Sequence, residues 1–253
     1  MKFDLLPGLF LILALSSQVG VAAEPTILIS DIDDTAKITH VRDSTDATRN
    51  GLFGHDFFAG MADLYRAMPV SRTLYLSGSP TLLRSKLAGD LFGGAGFPPG
   101  DLILRGKFVF EDIYAFKSRN LRDLAKNLQG KFILVGDDTE SDADVFCDFA
   151  KDFPDRVAAV YIHRLMGDRE PRGCELQYFL PIEIAVAEAK AGRLNSQGVK
   201  AAAQGLLKVT DMHFWFPAFA ACPRNYRLPS NQGPLRQILG KIETQASNYC
   251  TNR

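Results

Sequence analysis

The residues best suited to chemistry in this 253-residue chain directly follow a short apolar run at residues 27–29. Asp31, Asp33 and Asp34 come at its end, and Thr35 follows them. Because side chains alternate along an extended chain, Asp31 and Asp33 point the same way and Asp34 points the other way. Two carboxylates aimed at one point repel each other. The spacing therefore predicts a cation that holds the site together.

Two other interpretations of this acidic cluster remain to be weighed. The carboxylates could simply be solvated in a surface loop. A calcium loop of the EF-hand type is a poor alternative, because that loop has an acidic or amide residue at its fifth position and glycine at its sixth. Thr35 and Ala36 occupy those positions here. Whether other parts of the chain supply partners decides between these interpretations.

Composition indicates an ordinary globular chain. Hydrophobic residues make up 46% of it and charged residues 23%, which is enough apolar material for a substantial core. Twenty-nine basic residues balance 29 acidic residues, so the formal net charge is zero. No overall field favours nucleic acid or an anionic membrane, and we expect no nucleic-acid partner and infer no obligate protein partner.

Residues 1–23 have the pattern of a signal peptide. Lys2 precedes an apolar stretch at 5–15, and small residues at 21–23 precede Glu24. We expect cleavage before Glu24 and a secreted or periplasmic protein, with an uncleaved anchor as the alternative. Association of the protein with a membrane surface is compatible with both alternatives.

Four cysteines are then free to oxidise, with three possible full pairings. A pair between Cys222 and Cys250 would tie down the C-terminal tail. Cys147 lies in a predicted helix and fits a plain buried thiol equally well.

Apolar runs that alternate with helical patterns predict a doubly wound parallel α/β sheet, of the Rossmann-like type. The predicted strands are residues 27–29, 73–76, 102–104, 132–135 and 157–162. The predicted helices between them are residues 58–68, 81–91, 118–128 and 142–149. Ser79 is the expected N-cap of the second helix, and Lys117 is expected to open the third.

Polar side chains follow two further strands. Ser77 and Gly78 come after the second strand, and Asp137, Asp138 and Asp142 come after the fourth. Ligands of open parallel sheets bind beyond the carboxyl ends of the strands, so these residues and Asp31 are expected to share one crevice. Hard oxygen ligands favour Mg²⁺ over zinc. The four histidines match no metal-binding spacing.

These motifs together resemble those of the haloacid dehalogenase-like (HAD) phosphohydrolases. The motifs are D-I-D-D-T at 31–35, S-G-S-P at 77–80, a lysine, and G-D-D-T-E-S-D at 136–142. The chain is most similar to the phosphatidate phosphatase catalytic-domain family named after the yeast actin-patch enzyme. That branch shares S-D-I-D-D-T-x-K, G-x-x-x-L-Y at 60–65 and F-P-x-G at 97–100. The resemblance covers residues 26–164. It departs at Asp138 and Thr139, where the branch has serine and glycine.

The resemblance implies a phosphomonoester hydrolase that works through an aspartyl-phosphate. Asp31 would be the nucleophile, and Asp33 would be the general acid and then the general base. Ser77 and Gly78 would bind the phosphoryl group. Lys117 would offset its charge, with Lys107 as the neighbouring alternative.

The resemblance also implies a Mg²⁺ site. Asp31, Asp137 and the backbone carbonyl of Asp33 would hold the ion. Asp138 or Asp142 would reach it directly or through water, and the sequence does not choose between the two.

Phosphatidate is the leading substrate on this resemblance, so a membrane phospholipid is the expected partner. One alternative is a phosphatase of soluble phosphomonoesters. The other is an inactive HAD-like module that binds lipids or a protein. The intact motif residues argue against the inactive module.

The expected domains follow from these boundaries. Residues 24–167 form the catalytic domain, with a small cap insertion at 36–58, and residues 168–253 form a helical C-terminal extension. Its predicted helices are residues 181–191, 198–207 and 235–246. The aromatic segment at 213–219 is expected to pack in the core, although a membrane interface or an acyl pocket would suit it too.

Overall fold

A computed structural model describes residues 24–43, 54–106, 111–229 and 233–253. A central sheet of six parallel strands organises this part of the chain, in the order β3-β2-β1-β4-β5-β6. The strands are β1 (Thr26–Ser30), β2 (Arg72–Pro80), β3 (Asp101–Arg105), β4 (Lys131–Asp137), β5 (Val157–His163) and β6 (Leu176–Tyr178). Helices flank the sheet, so the predicted doubly wound α/β fold is confirmed.

The first strand lies in the middle of the sheet. Ile29 pairs with Leu74 of β2 on one side and with Leu134 of β4 on the other. Ile27 and Ile29 are buried in one hydrophobic core, whereas Leu28 is buried in the core on the opposite face. A strand covered on both faces needs apolar residues at every position, and this explains the unbroken run.

Seven α-helices connect or cover the strands of the described chain. They are α1 (Met61–Ala67), α2 (Arg84–Ala88), α3 (Ile113–Asn127), α4 (Asp142–Asp152), α5 (Pro181–Lys190), α6 (Ser196–Lys208) and α7 (Arg236–Asn252). Strand β6 was not predicted, because three residues are too few to show a periodic pattern.

Helix α3 begins earlier than predicted. Asp112 is its N-cap, and the Asp112 carboxylate accepts a hydrogen bond from the Ala115 amide at 3.0 Å. Lys117 therefore does not open the helix but lies about one turn inside it. This position takes the lysine away from solvent, and its side chain is buried.

The predicted capping role of Ser79 is wrong. Strand β2 continues to Pro80, and a short turn at Thr81–Leu83 leads into α2, with no side-chain cap at Pro80. The Ser79 hydroxyl instead donates a hydrogen bond to Asp33. The strand was predicted to end at Leu76, because the S-G-S-P segment that follows is typical of a turn and a helix N-terminus.

The C-terminal helices pack on the face of the sheet that α1 covers. Trp215 and Phe216 are both about 1% exposed, so for these two residues the core-packing prediction is confirmed. The four cysteines form two disulfides, one of which lies in this region. The Cys222–Cys250 bond links the segment after Phe216 to α7, as expected, and Cys147 of α4 pairs with Cys174, so Cys147 is not a free buried thiol.

No helix among the described residues is both long enough and apolar enough to cross a bilayer. Three expectations fall outside those residues: the signal peptide at 1–23, the middle of the cap insertion at 44–53, and Lys107. The proposed domain boundaries stay predictions.

Candidate active site

Strands β1 and β4 bring three carboxylates to one edge of the sheet. Ser30 pairs with Val135, and the Asp31 amide continues the ladder by donating to the Val135 carbonyl at 2.9 Å. Asp137 ends β4, and Asp142 opens α4 just beyond it. One carboxylate oxygen from each of Asp31, Asp137 and Asp142 lies within 4.8 Å of the other two. The predicted convergence of these strand ends is therefore present.

Lys117 completes this buried cluster. Its Nζ atom lies 2.7 Å from Asp31 Oδ1 and also donates to Asp142 Oδ1, and its side chain is 1% exposed. Burial by itself would lower the pKa of the Lys117 ammonium. The Asp142 and Asp31 carboxylates outweigh burial and raise that pKa above its ordinary value. Lys117 is therefore a permanent positive charge in the site.

One ammonium does not balance three carboxylates. Burial is the main cause that raises the pKa of Asp31 well above its usual value; Lys117 opposes it, and Asp142 and Asp137 reinforce it. Burial and then Asp142 raise the pKa of Asp137 in the same way. When all three carboxylates are ionised, the cluster with Lys117 carries two excess negative charges. A divalent cation has the charge that this cluster lacks.

The geometry of Asp142 also fits a metal ion. Its Oδ2 atom is buried and has no hydrogen-bond partner among the described residues. A Cβ placed on Gly136 would lie 2.4 Å from this oxygen, so only glycine lets the carboxylate approach the backbone of β4. An unpaired buried carboxylate oxygen costs free energy, and a bound cation would remove that cost.

Two threonines hold the Asp137 carboxylate in place. Thr35 Oγ1 donates to Asp137 Oδ2 at 2.8 Å, and the Thr139 amide donates to Oδ1 at 2.8 Å. The Thr139 hydroxyl also donates to Oδ1. Sequence reasoning missed both threonines as parts of the site, and only the position of Thr35 within the D-I-D-D-T motif pointed to one of them.

Asp33 stands apart from the three clustered carboxylates. It is the half-buried acid of the set, and its Oδ2 atom accepts hydrogen bonds from two hydroxyls, Ser77 Oγ at 3.1 Å and Ser79 Oγ at 2.8 Å. Its side chain is therefore placed for proton transfer to a group outside the cluster, and any contact with a metal would come from its backbone.

Asp138 also lies outside the cluster of Asp31, Asp137 and Asp142. Its Oδ1 atom accepts hydrogen bonds from the amides of Leu165 and Met166, both at 2.9 Å, and its Oδ2 atom accepts one from Gly167 at 3.1 Å. Both carboxylate oxygens are thus occupied by a neighbouring loop. Of the two alternatives that the sequence left open as metal ligands, Asp142 lies in the carboxylate cluster, whereas Asp138 holds the loop after β5.

Gly78 lies between the two serines. A Cβ at this position would be 3.4 Å from Cδ1 of Ile113, so the end of β2 lies close to the start of α3. Contact between the Gly78 backbone and a phosphoryl group remains a prediction.

Comparisons with known proteins agree with this geometry. Residues 26–164 match the family described as "Phosphatidate phosphatase APP1, catalytic domain". The chain is 32% identical over 154 residues to "Phosphatidate phosphatase APP1" of Saccharomyces cerevisiae, and the match covers 53% of this chain and 25% of the yeast protein. It is 29% identical over 154 residues to "Uncharacterized protein C29B5.04c" of Schizosaccharomyces pombe, covering 56% and 25%.

The matched region thus spans about a quarter of the length of these relatives and more than half of this chain. The family match includes β1 to β5 and every residue of the site described above. The chain belongs to the family of the phosphatidate phosphatase APP1 catalytic domain.

Proposed function

We propose that the protein is a Mg²⁺-dependent phosphatase that hydrolyses a phosphomonoester, with phosphatidate as the leading substrate. The observation that supports this most directly is the buried cluster of three carboxylates and one lysine at the carboxyl ends of β1 and β4. Such a cluster needs a divalent cation and gathers the groups that phosphoryl transfer uses.

In the first step, an Asp31 carboxylate oxygen attacks phosphorus and forms an aspartyl-phosphate. The bond between phosphorus and the ester oxygen breaks, and the leaving oxygen takes a proton from the Asp33 carboxyl group. Lys117, which lies 2.7 Å from Asp31 Oδ1, orients the nucleophile and offsets the charge that develops on the phosphoryl oxygens. Ser77 donates a hydrogen bond to one of these oxygens.

In the second step, a water molecule attacks the phosphorus of the aspartyl-phosphate. Asp33, now a carboxylate, accepts a proton from this water, and the bond between phosphorus and Asp31 breaks. Inorganic phosphate leaves, and both carboxyl groups return to their starting protonation states. The half-exposed position of Asp33 suits this exchange with solvent.

Asp31, Asp137, Asp142 and the backbone carbonyl of Asp33 are the residues that would hold the ion. Carboxylate and carbonyl oxygens without histidine or thiolate favour Mg²⁺. When bound, Mg²⁺ supplies positive charge that lets the anionic nucleophile approach an anionic phosphate.

Phosphatidate is proposed because the yeast relative carries that activity in its name. A zero net charge gives no general attraction to anionic membranes, so a soluble phosphomonoester is the second candidate. We also propose that the protein works outside the cytosol. Its two disulfides support this location, because such bonds persist in oxidising compartments.

Phosphate release from phosphatidate vesicles and from p-nitrophenyl phosphate, with Mg²⁺ and with a chelator, tests the proposal. We expect activity in Mg²⁺ and its loss in the chelator. Asp31→Asn should abolish turnover of both substrates, because the amide is a poor nucleophile. The circular dichroism spectrum of this variant should be unchanged.

Asp155→Asn is the matched control, since Asp155 lies on an exposed turn before β5. This variant should keep wild-type activity. Near wild-type activity in Asp31→Asn would overturn the proposal. Activity on p-nitrophenyl phosphate without activity on phosphatidate would assign a soluble substrate, and inactivity on both would favour a binding module.

A further inference from the structure

We propose that Ser79 is a positioning residue for the general acid, holding the Asp33 carboxyl group in place while Ser77 binds the substrate. This inference rests on the proposed function, because it concerns the proton that Asp33 gives to the leaving group. Ser79 itself contacts Asp33, and no contact with the phosphoryl group is assigned to it.

Two hydroxyls converge on a single oxygen of Asp33. Ser79 Oγ lies 2.8 Å from Asp33 Oδ2, and Ser77 Oγ lies 3.1 Å from the same atom. Because Oδ2 accepts both hydrogen bonds, they fix the rotation of the Asp33 carboxyl group. The proton that Asp33 transfers is then carried by its Oδ1 atom. The shorter of the two bonds comes from Ser79.

The two serines differ in what they can do once substrate is bound. A serine hydroxyl has one proton to donate. Ser77 Oγ already accepts a hydrogen bond from the Ser79 amide at 2.9 Å, so when its proton turns to a phosphoryl oxygen it no longer donates to Asp33. Ser79 then supplies the remaining hydroxyl donor of the pair to Asp33. The hydrogen bond from Ser79 to Asp33 duplicates the one from Ser77 in the free protein, but Asp33 depends on it once Ser77 binds the substrate.

The end of strand β2 is irregular where the two serines lie. The pairing with β3 passes from Ser77 opposite Leu104 to Pro80 opposite Arg105, so three steps along β2 match one step along β3. Irregularities of this kind redirect side chains at the edge of a site. Because residues two apart in an extended chain point the same way, the hydroxyls of Ser77 and Ser79 both reach the Asp33 carboxylate.

The dependence on the leaving group distinguishes this role from a purely structural one. In the first step, an alkoxide leaving group must receive the Asp33 proton as its bond to phosphorus breaks. A p-nitrophenolate group leaves readily without that proton. A variant that misplaces Asp33 should therefore slow the alkyl substrate much more than the activated aryl substrate.

We would measure kcat/KM for a short-chain phosphatidate, phenyl phosphate and p-nitrophenyl phosphate, since this constant reports steps up to formation of the aspartyl-phosphate. For Ser79→Ala we expect a loss of about tenfold or more with phosphatidate. The loss should be smaller with phenyl phosphate and smallest with p-nitrophenyl phosphate. Ser79→Thr keeps the hydroxyl and should restore most of the activity.

Ser85→Ala is the matched control, because Ser85 is an exposed serine on the neighbouring helix α2. It should behave like wild type with every substrate. Circular dichroism and the melting temperature of Ser79→Ala show whether the variant is folded. If it is not, Ser79→Thr still tests the geometry: activity near wild type on all three substrates would support the proposal, and a large loss that is equal on all three would contradict it.

Equal losses in Ser79→Ala on all three substrates, or no loss on any, would also overturn it. These outcomes are separate from failure of the proposed function, in which the wild-type protein itself would hydrolyse none of the three. If wild type acts on the aryl phosphates alone, phenyl phosphate serves as the substrate with the poorer leaving group.

Discussion

Two pairs of adjacent aspartates lie at the ends of neighbouring strands, and in each pair the two carboxylates do different work. At the end of β1, Asp33 faces the site and Asp34 faces away from it. At the end of β4, Asp137 faces the site and Asp138 faces away. Each outward carboxylate binds the backbone amides of a nearby loop. The first member of each pair points into the candidate site, and the second holds the loop beside it.

The two loops are held in different ways. Asp34 has a positive φ of 59° and accepts hydrogen bonds from the amides of Thr39, His40 and Val41, at 2.7 to 2.9 Å, so it folds its own chain back. Asp138 binds a loop that lies about 30 residues away in sequence. The first pair therefore builds a local turn, and the second joins two strands that neighbour each other only in the folded sheet.

Arg42 connects the two loops. Its Nε atom donates to the Thr139 carbonyl at 2.9 Å, and its guanidinium also contacts the Asp168 carboxylate at 3.2 Å. The turn that Asp34 holds is thus joined to the segments on both sides of Asp138. In both pairs, an acidic dipeptide after a strand directs one carboxylate toward the candidate site and uses the other to hold a loop.

The largest expected effect is on activity, from Asp137→Asn. This change removes a carboxylate from the proposed Mg²⁺ site, so kcat/KM should fall by roughly 10³-fold or more. The melting temperature should change little. Steady-state kinetics over a range of Mg²⁺ concentrations would measure the loss. Retention of activity within about tenfold of wild type would contradict the separation of roles within the pair.

Asp138→Ala should act on stability instead. It leaves three loop amides without their acceptor, and we expect the free energy of unfolding to fall by about 4 kcal/mol. Urea denaturation would measure this, with Asp155→Ala as the control at an exposed turn. If Asp138→Ala unfolds as wild type does but loses activity as completely as Asp137→Asn, the assignment of Asp138 as a loop anchor is wrong.

The smallest expected effect is a pH dependence of the free energy of unfolding that arises from His163, which contacts both pairs of aspartates. Its Nδ1 atom lies 3.3 Å from the Asp34 carbonyl, and its own carbonyl accepts the Asp138 amide at 3.1 Å. Burial lowers the pKa of His163 to about 4. Because the unfolded chain binds the proton more tightly than the folded protein, this stabilisation is complete above the ordinary histidine pKa and is lost as pH falls toward 4.

Between pH 7 and 4, wild type should lose about 3 kcal/mol more free energy of unfolding than His163→Phe. Phenylalanine keeps the ring that packs on Tyr178 and Phe58. Urea denaturation at a series of pH values measures the slope. His213→Gln, at an exposed histidine, should keep the wild-type slope. Equal slopes for wild type and His163→Phe would show that His163 does not resist protonation.

Much of the site was predictable because strand ends in a parallel sheet converge. The short apolar runs before Asp31 and Asp137 predicted that both carboxylates lie at one edge of the sheet. The resemblance to known motifs then indicated Ser77 and Lys117. The helix start at Asp112 was missed, because residues 113–116 (I-Y-A-F) are all apolar and show no helical periodicity. The Ser79 contact was missed because an S-P sequence is also typical of a helix N-terminus.

The sequence by itself determined the first five strands, which of them end in polar residues and which acids are available to a cation, because hydrophobic periodicity and alternation are local properties. It predicted that Asp34 points away from Asp31 and Asp33, but it left open whether Asp138 or Asp142 joins Asp31 and Asp137. Only the tertiary structure decided that Asp142 joins the cluster and that Asp138 binds residues 165–167. The reason is that a carboxylate takes its role from the donors that the fold brings to it, and those donors lie far away in the sequence.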